Sequence, residues 1–325
     1  MALARRRFLQ LTTGAFALPA ILRSALAQTY PSRPVRIIVG FAAGGTFDIA
    51  ARLIGQRLSD RLGQPVVVEN RPGAGANLAT AAVVRAPPDG YTLLLAGAVN
   101  AINVTLYEHP GFDFIRDLAP VAGLIRFPNL MQVNASFPAR TVSEFIDYAK
   151  ANPGGINMGS GGIGTTQHLS GELLKIMVGV DMTHVPYRGG AQALTDLLGG
   201  RVQVAFEGIP VSIEHVRSGT LRAIAVTTSV RSKALPDVPT VGESVPGYEA
   251  SGWNGLCAPK NTPAEIIERL NREVNAGLAD PRMGAKFAEL GGMALGGSPD
   301  EFAKLILQDT EKWGRIIRAA NIKPA

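Results

Sequence analysis

The sequence predicts an α/β fold built as two lobes of similar design. Three features carry that expectation. Short apolar runs rich in β-branched residues alternate with longer stretches of helical periodicity. A small-residue turn between strand and helix, Ala42 to Gly45, returns in the second half of the chain as Ser160 to Thr166. The 325 residues are 46% hydrophobic and 18% charged, enough for about two domains with ordinary cores.

The first unit runs from Val35 to Arg52. Val35 to Phe41 reads as a buried strand, Ala42 to Gly45 as the turn, and Thr46 to Leu62 as a helix. Gly44 and Gly45 allow a sharp bend and a close approach of backbone to ligand. The helix that follows begins with unpaired N–H groups, and its dipole favours an anion there. Thr46 suits an N-cap, and its hydroxyl is free to bond a ligand. Asp48 lies just inside the helix, where an acid is favoured by the dipole and serves equally as a cap or a ligand contact.

Strand two is Pro65 to Glu69, followed by a second glycine turn from Asn70 through Gly73 and Gly75 to Asn77. Helix two, Leu78 to Arg85, stops before Pro87-Pro88-Asp89-Gly90. Strand three is Tyr91 to Ala96, and the segment from Gly97 and Ala98 to Asn100 leaves it. Strand, helix, strand, helix, strand implies a parallel sheet with right-handed crossovers. Ligands of such sheets lie beyond the carboxyl ends of the strands, where these turns fall. Val121 to Ile125 and Leu130 to Val133 read as short extended pieces that cross to a second lobe. A helix to Lys150 opens on a capping box, Thr141 with Glu144.

The second lobe repeats the device. Strand Ile156 to Gly159 leads through Ser160-Gly161-Gly162-Ile163-Gly164-Thr165-Thr166 into a helix to Val178. Strand Met182 to Val185 leads through Tyr187 and Arg188 into a helix from Ala191 to Leu198. Val202 to Phe206 is a strand, with Glu207 at its carboxyl end as a contact for a ligand hydroxyl or amine, or a closure partner for Arg188. Leu221 to Thr227 returns the chain towards the first lobe, followed by Trp253 and Asn254 and by helices Pro263 to Ala279 and Asp300 to Ala319. The expected boundaries are 28–126 plus 229–325 for lobe 1 and 127–228 for lobe 2. Glycine turns and helix N-termini of both lobes would face a shared cleft, the plan of a hinged solute-binding protein.

Residues 1–27 read as an export signal, with a basic start, an apolar stretch from Phe8 to Leu22 and Ala25-Leu26-Ala27 as a cleavage site. Arg5-Arg6-Arg7-Phe8-Leu9 is similar to a twin-arginine pattern. The formal charge of +6 shrinks without this segment, because it holds four arginines and no acid. Nothing then calls for nucleic acid as a partner. Cys257 is the single cysteine and sits in an apolar run, a core thiol. The four histidines, 109, 168, 184 and 215, show no metal-ligand spacing with acids, and neither G-x-S-x-G nor H-E-x-x-H occurs. His168, in the first turn of its helix, reads as a cap or cleft residue. No cofactor or metal is expected. One competing signal is Gly159 to Gly164, a G-x-G-x-x-G between strand and helix with Asp181 beyond it. It fits an NAD(P)-dependent oxidoreductase. Its position in mid-chain, the polar Thr165 and Thr166, and the leader weigh against that.

Gly40-Phe41-Ala42-Ala43-Gly44-Gly45-Thr46-Phe47-Asp48 with Arg52 resembles the first ligand loop of the tripartite tricarboxylate transporter solute receptors, the Bug proteins. Val68 to Gly75 resembles their second motif, Gly159 to Thr165 with His168-Leu169 the third, and Val185 to Gly189 with Asp196 to Gly200 the fourth. Leu235-Pro236-Asp237-Val238-Pro239-Thr240 resembles their return segment, so the likeness runs from about residue 30 to the end. It implies a two-lobed periplasmic binding protein fold, type II-like, with two parallel-rich sheets joined by two crossing strands at a hinge. It further implies capture of a mono- or dicarboxylate by backbone N–H groups, hydroxyls and waters, delivery to membrane permease subunits, no catalysis, and a monomer. Carried over by position, Phe41, Gly44, Gly45, Thr46, Asp48, Asn70, Gly75 and Ala98 would line the cleft on one lobe. Ser160, Gly161, Thr165, Thr166, His168, Tyr187 and Glu207 would line it on the other, with Trp253 and Asn254 near the hinge. The family often has proline where Ala42 or Ala43 stands, and aspartate where Glu207 stands.

Overall fold

The computed structural model describes residues 30–324; the expected export signal, residues 1–27, lies outside the described residues. The first half of the chain forms β1 (Val35–Val39), α1 (Thr46–Leu62), β2 (Val66–Asn70), α2 (Asn77–Val84), β3 (Thr92–Gly97), α3 (Ala98–Leu106), α4 (Phe114–Asp117) and β4 (Leu118–Phe127). There follow β5 (Asn129–Asn134), α5 (Val142–Ala151), β6 (Asn157–Ser160), α6 (Thr166–Val178), β7 (Thr183–Pro186), α7 (Gly190–Leu198), β8 (Val204–Gly208), α8 (Ile209–Arg217) and β9 (Leu221–Val226). The chain closes with β10 (Gly252–Pro259), α9 (Ala264–Leu278), α10 (Pro281–Glu289), β11 (Met293–Gly296) and α11 (Pro299–Ala319).

Two sheets result, ordered β11-β4-β10-β3-β1-β2 and β7-β6-β8-β5-β9. The expected parallel core is present in each. β1 pairs in parallel with β2 and β3, and β6 with β7 and β8. Both sheets are nonetheless mixed, because each takes into its interior one strand arriving from the other. β10 enters the first sheet antiparallel to β3 and β4, and β5 enters the second antiparallel to β8 and β9. The continuous apolar run of β3 follows from its central place: all six residues are buried. α1 ends on Gly63 in the left-handed region at φ 69°, whose N–H donates to the Ser59 carbonyl.

The sheets meet at two crossings that are tied to each other. Pro128 alone separates β4 from β5. The Asn129 N–H donates to Thr227 Oγ1 at 2.9 Å, and the Thr227 N–H to the Asn129 carbonyl at 3.0 Å. α11 packs on α3 and reaches α6. Its Asp309 accepts from the indoles of Trp253 at 2.6 Å and Trp313 at 3.2 Å, both fully buried. Thr141 caps α5 as expected, but Glu144 reaches the Arg140 N–H rather than the cap residue. Cys257 is buried, and burial pushes its thiol pKa up, as suits a core residue. Among the described residues no helix is long and apolar enough to cross a membrane.

Candidate functional site

Four helix N-termini open onto one cavity of about 410 Å³ between the sheets. α1 presents Gly45, Thr46 and Phe47, and α3 presents Ala98 and Val99. From the other side α6 presents Thr165, Thr166 and Gln167, and α7 presents Gly189 and Gly190. The helices have 17, 9, 13 and 9 residues, so each carries a full dipole to its end. α1 and α7 start on glycine, with no side chain turned back onto their first N–H groups. Phe41, Phe127, Gly161, Arg188 and Trp253 complete the wall, and Arg188 is its single charged side chain.

The first loop is shaped by a fixed network. Gly44 takes φ 86°, a conformation that costs glycine nothing. Its N–H donates to Asp48 Oδ2 at 2.9 Å. Arg52 Nε donates to Asp48 Oδ2 at 2.9 Å, its Nη2 lies 2.9 Å from Asp48 Oδ1, and it reaches Asn70 Oδ1 at 3.3 Å. Asn70 Nδ2 then donates to the Phe41 carbonyl at 3.0 Å. The Arg52 bond chiefly holds the Asp48 carboxyl below the usual range. Asp48 and Asn70 thus aim the loop rather than line the cavity. α1 begins at Thr46 with Gly45 as its N-cap, one residue earlier than a Thr46 cap would give. That leaves the Thr46 hydroxyl on the wall, free of capping duty.

Of the residues expected in the cleft, Phe41, Gly45, Thr46, Ala98, Gly161, Thr165, Thr166 and Trp253 line it. The others stand behind it. Gly44 is turned away by its bond to Asp48. The Gly75 carbonyl is taken by Asn103 Nδ2 at 2.7 Å. Ser160 is fully buried with its hydroxyl on His184 Nε2 at 2.7 Å. The His168 and His184 rings stack at 3.7 Å, and His168 Nδ1 accepts the Gly164 N–H at 3.3 Å. Burial lowers their pKa values to about 3 and about 4, so both are neutral parts of the scaffold. The Tyr187 hydroxyl donates to Asp196 Oδ2 at 2.7 Å, away from the cavity. Asn254 follows Trp253 along β10 and so faces the opposite side of the sheet. It is fully buried, with neither amide atom bonded among the described residues.

Glu207 needs the largest correction. It lies inside β8, 1% exposed, directly behind Gly190, where a Cβ would strike its carboxyl group. No ion pair joins it to Arg188 among the described residues, and Arg188 is exposed at the rim. Burial pushes the Glu207 carboxyl up to about 8, against the opposing pull of the Gln167 side chain and the Gly208 backbone.

The wall residues not named as ligand contacts from the sequence are Phe47, Val99, Phe127, Gln167, Gly189 and Gly190, while Arg188, expected as a closure partner of Glu207, lines the wall without that pairing. Gly189-Gly190 repeats the double glycine of Gly44-Gly45 before a helix, which is a readable signal. Val99 belongs to α3, a helix that the sequence pattern does not announce. The dinucleotide alternative loses its second element. Asp181 precedes β7, whose Thr183 pairs with Asn157, while the glycine turn leaves the other end of β6. An acid serving a ribose would stand at the turn's end of the sheet.

Residues 50–322 match the family described as "Tripartite tricarboxylate transporter family receptor". Protein BugT of Bordetella pertussis is 37% identical over 300 residues, covering 91% of this chain and 92% of its own length. Among solved structures, Rpa4515 of R. palustris with adipate is similar at 38% identity and a TM-score of 0.82, over 91% of this chain and all of that one. MatC of Rhodopseudomonas palustris with bound malate is similar at 32% identity and a TM-score of 0.77, over 89% of this chain and all of that one.

Proposed function

This chain belongs to the tripartite tricarboxylate transporter receptor family, and from that membership we propose that it captures a small organic carboxylate between its lobes. As a receptor of this family it works in the periplasm. The observation that carries the proposal is the convergence of four helix N-termini on one cavity whose single charged side chain is Arg188. Such a wall offers many N–H donors and positive dipole ends, and no acid to repel an anion. The adipate and malate held by two similar receptors have the chemistry this wall suits. Binding energy is drawn from both lobes at once, so ligand favours the closed arrangement.

The ligand contacts are the backbone of Gly45, Thr46, Ala98, Gly161, Thr165, Thr166 and Gly190 and the hydroxyls of Thr46 and Thr166, with Arg188 at the rim and the Thr165 hydroxyl engaged in capping α6. Asp48, Asn70, Gly75, Ser160, His168 and Tyr187 hold the loops that present them. The first lobe takes residues 30–127 plus 252–324 and the second residues 128–251, because Phe127 pairs with Gly252 in the first sheet while Thr240 pairs with Val226 in the second; the hinge is the Asn129–Thr227 ladder. The receptor is a monomer without turnover that hands its ligand to membrane permease subunits, and residues 1–27 serve its export by a twin-arginine route.

A thermal-shift screen of organic acids, with NAD and NADP alongside, tests this. A ligand that binds only the folded chain raises its melting point by mass action. A rise with carboxylates and none with dinucleotides is expected. A rise with dinucleotides alone would overturn the receptor assignment.

A further inference from the structure

The two walls of the cavity differ in chemistry. The wall from the second sheet is small and polar: Gly161, Thr165, Thr166, Gln167, Gly189 and Gly190, with Arg188. The wall from the first sheet carries three phenylalanines from three separate elements. Phe41 follows β1, Phe47 lies in the first turn of α1, and Phe127 ends β4. The rings of Phe41 and Phe47 meet at 4.4 Å between centroids with a 42° tilt.

These rings are built into the floor by missing side chains beneath them. A Cβ at Gly97, the last residue of β3, would strike the Phe47 ring. A Cβ at Gly252, the first residue of β10 and the register partner of Phe127, would strike the Phe127 ring. Two strand ends are therefore bare where two rings lie down on them. All three rings stay half-buried, with the rest of their surface turned to the cavity. Asn70 pins the Phe41 carbonyl and so the backbone that carries the first ring, and the ring itself packs on Phe47.

We propose that the cavity is specific for an aromatic carboxylate, its ring against Phe41, Phe47 and Phe127 and its carboxylate on the helix N-termini of both walls. The proposal rests on the carboxylate-receptor assignment and sharpens it. A ring packed on fixed aromatic faces gains quadrupolar contacts beyond its buried area, and fixed rings surrender little side-chain freedom on binding. A short aliphatic hydroxy-acid would leave three apolar faces against its polar groups, the donors of that wall, at Thr46 and the starts of α1 and α3, being taken by the carboxylate. An amino acid fares worse still, since its ammonium finds no acid on the wall: Asp48 is spent on Arg52 and Glu207 is shut behind Gly190. Phe47 is the selecting residue, because its ring meets that of Phe41 and lies over Gly97 at the end of β3, which stands between β1 and β10 in the sheet.

Titration calorimetry on the purified chain tests this with benzoate and phenylacetate as ring-bearing probes and adipate and malate as aliphatic ones. The ring-bearing acids are expected to bind about tenfold or more tightly than the aliphatic ones. Phe47→Thr is expected to weaken the ring-bearing acids about tenfold more than it weakens adipate, so that the preference is lost. Phe47→Leu, which keeps apolar volume without a ring, guards against a folding defect and is expected to lose most of the same preference. Tighter binding of adipate or malate than of either ring-bearing acid overturns the proposal and leaves the carboxylate receptor standing. So does an equal loss for both classes in Phe47→Leu. Binding of none of the four acids in a chain with an intact melting transition overturns the carboxylate assignment as well.

Discussion

Glu207→Gln should stabilise this protein, and should do so increasingly as pH rises. The carboxyl lies behind Gly190 with one oxygen unbonded among the described residues and no cation beside it. Burial lifts it from an ordinary 4.5 to about 8. Between those values the folded chain holds a proton that the unfolded chain has released, so stability falls as pH climbs through the window. Integrated over the shift, the linkage costs under about 1 kcal/mol at pH 5, about 3 at pH 7 and about 4 at pH 8. An amide of the same shape carries no such cost. It keeps the neighbourhood of Gln167. Melting curves of both proteins from pH 5 to 8 read the difference directly. The variant's advantage should grow to roughly 5 °C or more at pH 8 for a chain of this size. His168 and His184 act in the opposite sense in both proteins. Their lowered pKa values give stability that is present above about 6.5 and is lost as pH falls towards 4. They cancel in the comparison. Two curves that stay parallel across the range would refute the assignment of a neutral, desolvated Glu207.

Three further outcomes follow from the geometry. Thr46→Ala and Gly45→Val should each weaken carboxylate binding strongly, by about tenfold or more, because one removes a hydroxyl from the wall and the other puts bulk on the open N-cap of α1; unchanged affinity in both, by calorimetry, would remove α1 from the site. Arg52→Ala frees Asp48 and Asn70 from their shared partner. Affinity should fall several-fold and the melting point should fall with it, since Arg52 is half exposed but the Asp48 carboxyl it pairs is buried and would be left without its cation. Gly190→Ala drives a Cβ into the Glu207 carboxyl and should displace the start of α7, costing affinity in a way that Glu207→Ala or Glu207→Gly in the same chain partly restores.

Much of this architecture is legible in the sequence because it rests on local signals. VRIIV, TLLLA and the Thr141 cap announce their elements through β-branching, apolar continuity and capping chemistry. The turn-then-helix device repeats, so the cleft's helix N-termini at Thr46 and Thr165 were visible before any tertiary contact. What stayed hidden depends on tertiary burial. α3, with two Val, a Thr and two Asn residues, has weak helical propensity and forms because Ala101, Ile102 and Leu106 are buried while Asn100 and Asn103 find partners inside. Likewise, the sequence shows that Asp48, His168 and Glu207 sit beside ligand loops, but not which way they point. Asp48 turned to Arg52, His168 to Gly164, and Glu207 into the sheet. Phe127 belongs to the cavity only because Gly252, far along the chain, pairs with it and leaves room for its ring.

The most direct test of the whole account is a crystal structure of the chain with the tightest-binding carboxylate from the screen. Carboxylate oxygens within about 3 Å of backbone N–H groups in the first turns of α1, α3, α6 or α7, with donors from both lobes, are the predicted result. A carboxylate held by Arg188 alone, or seated away from these helix ends, would contradict it.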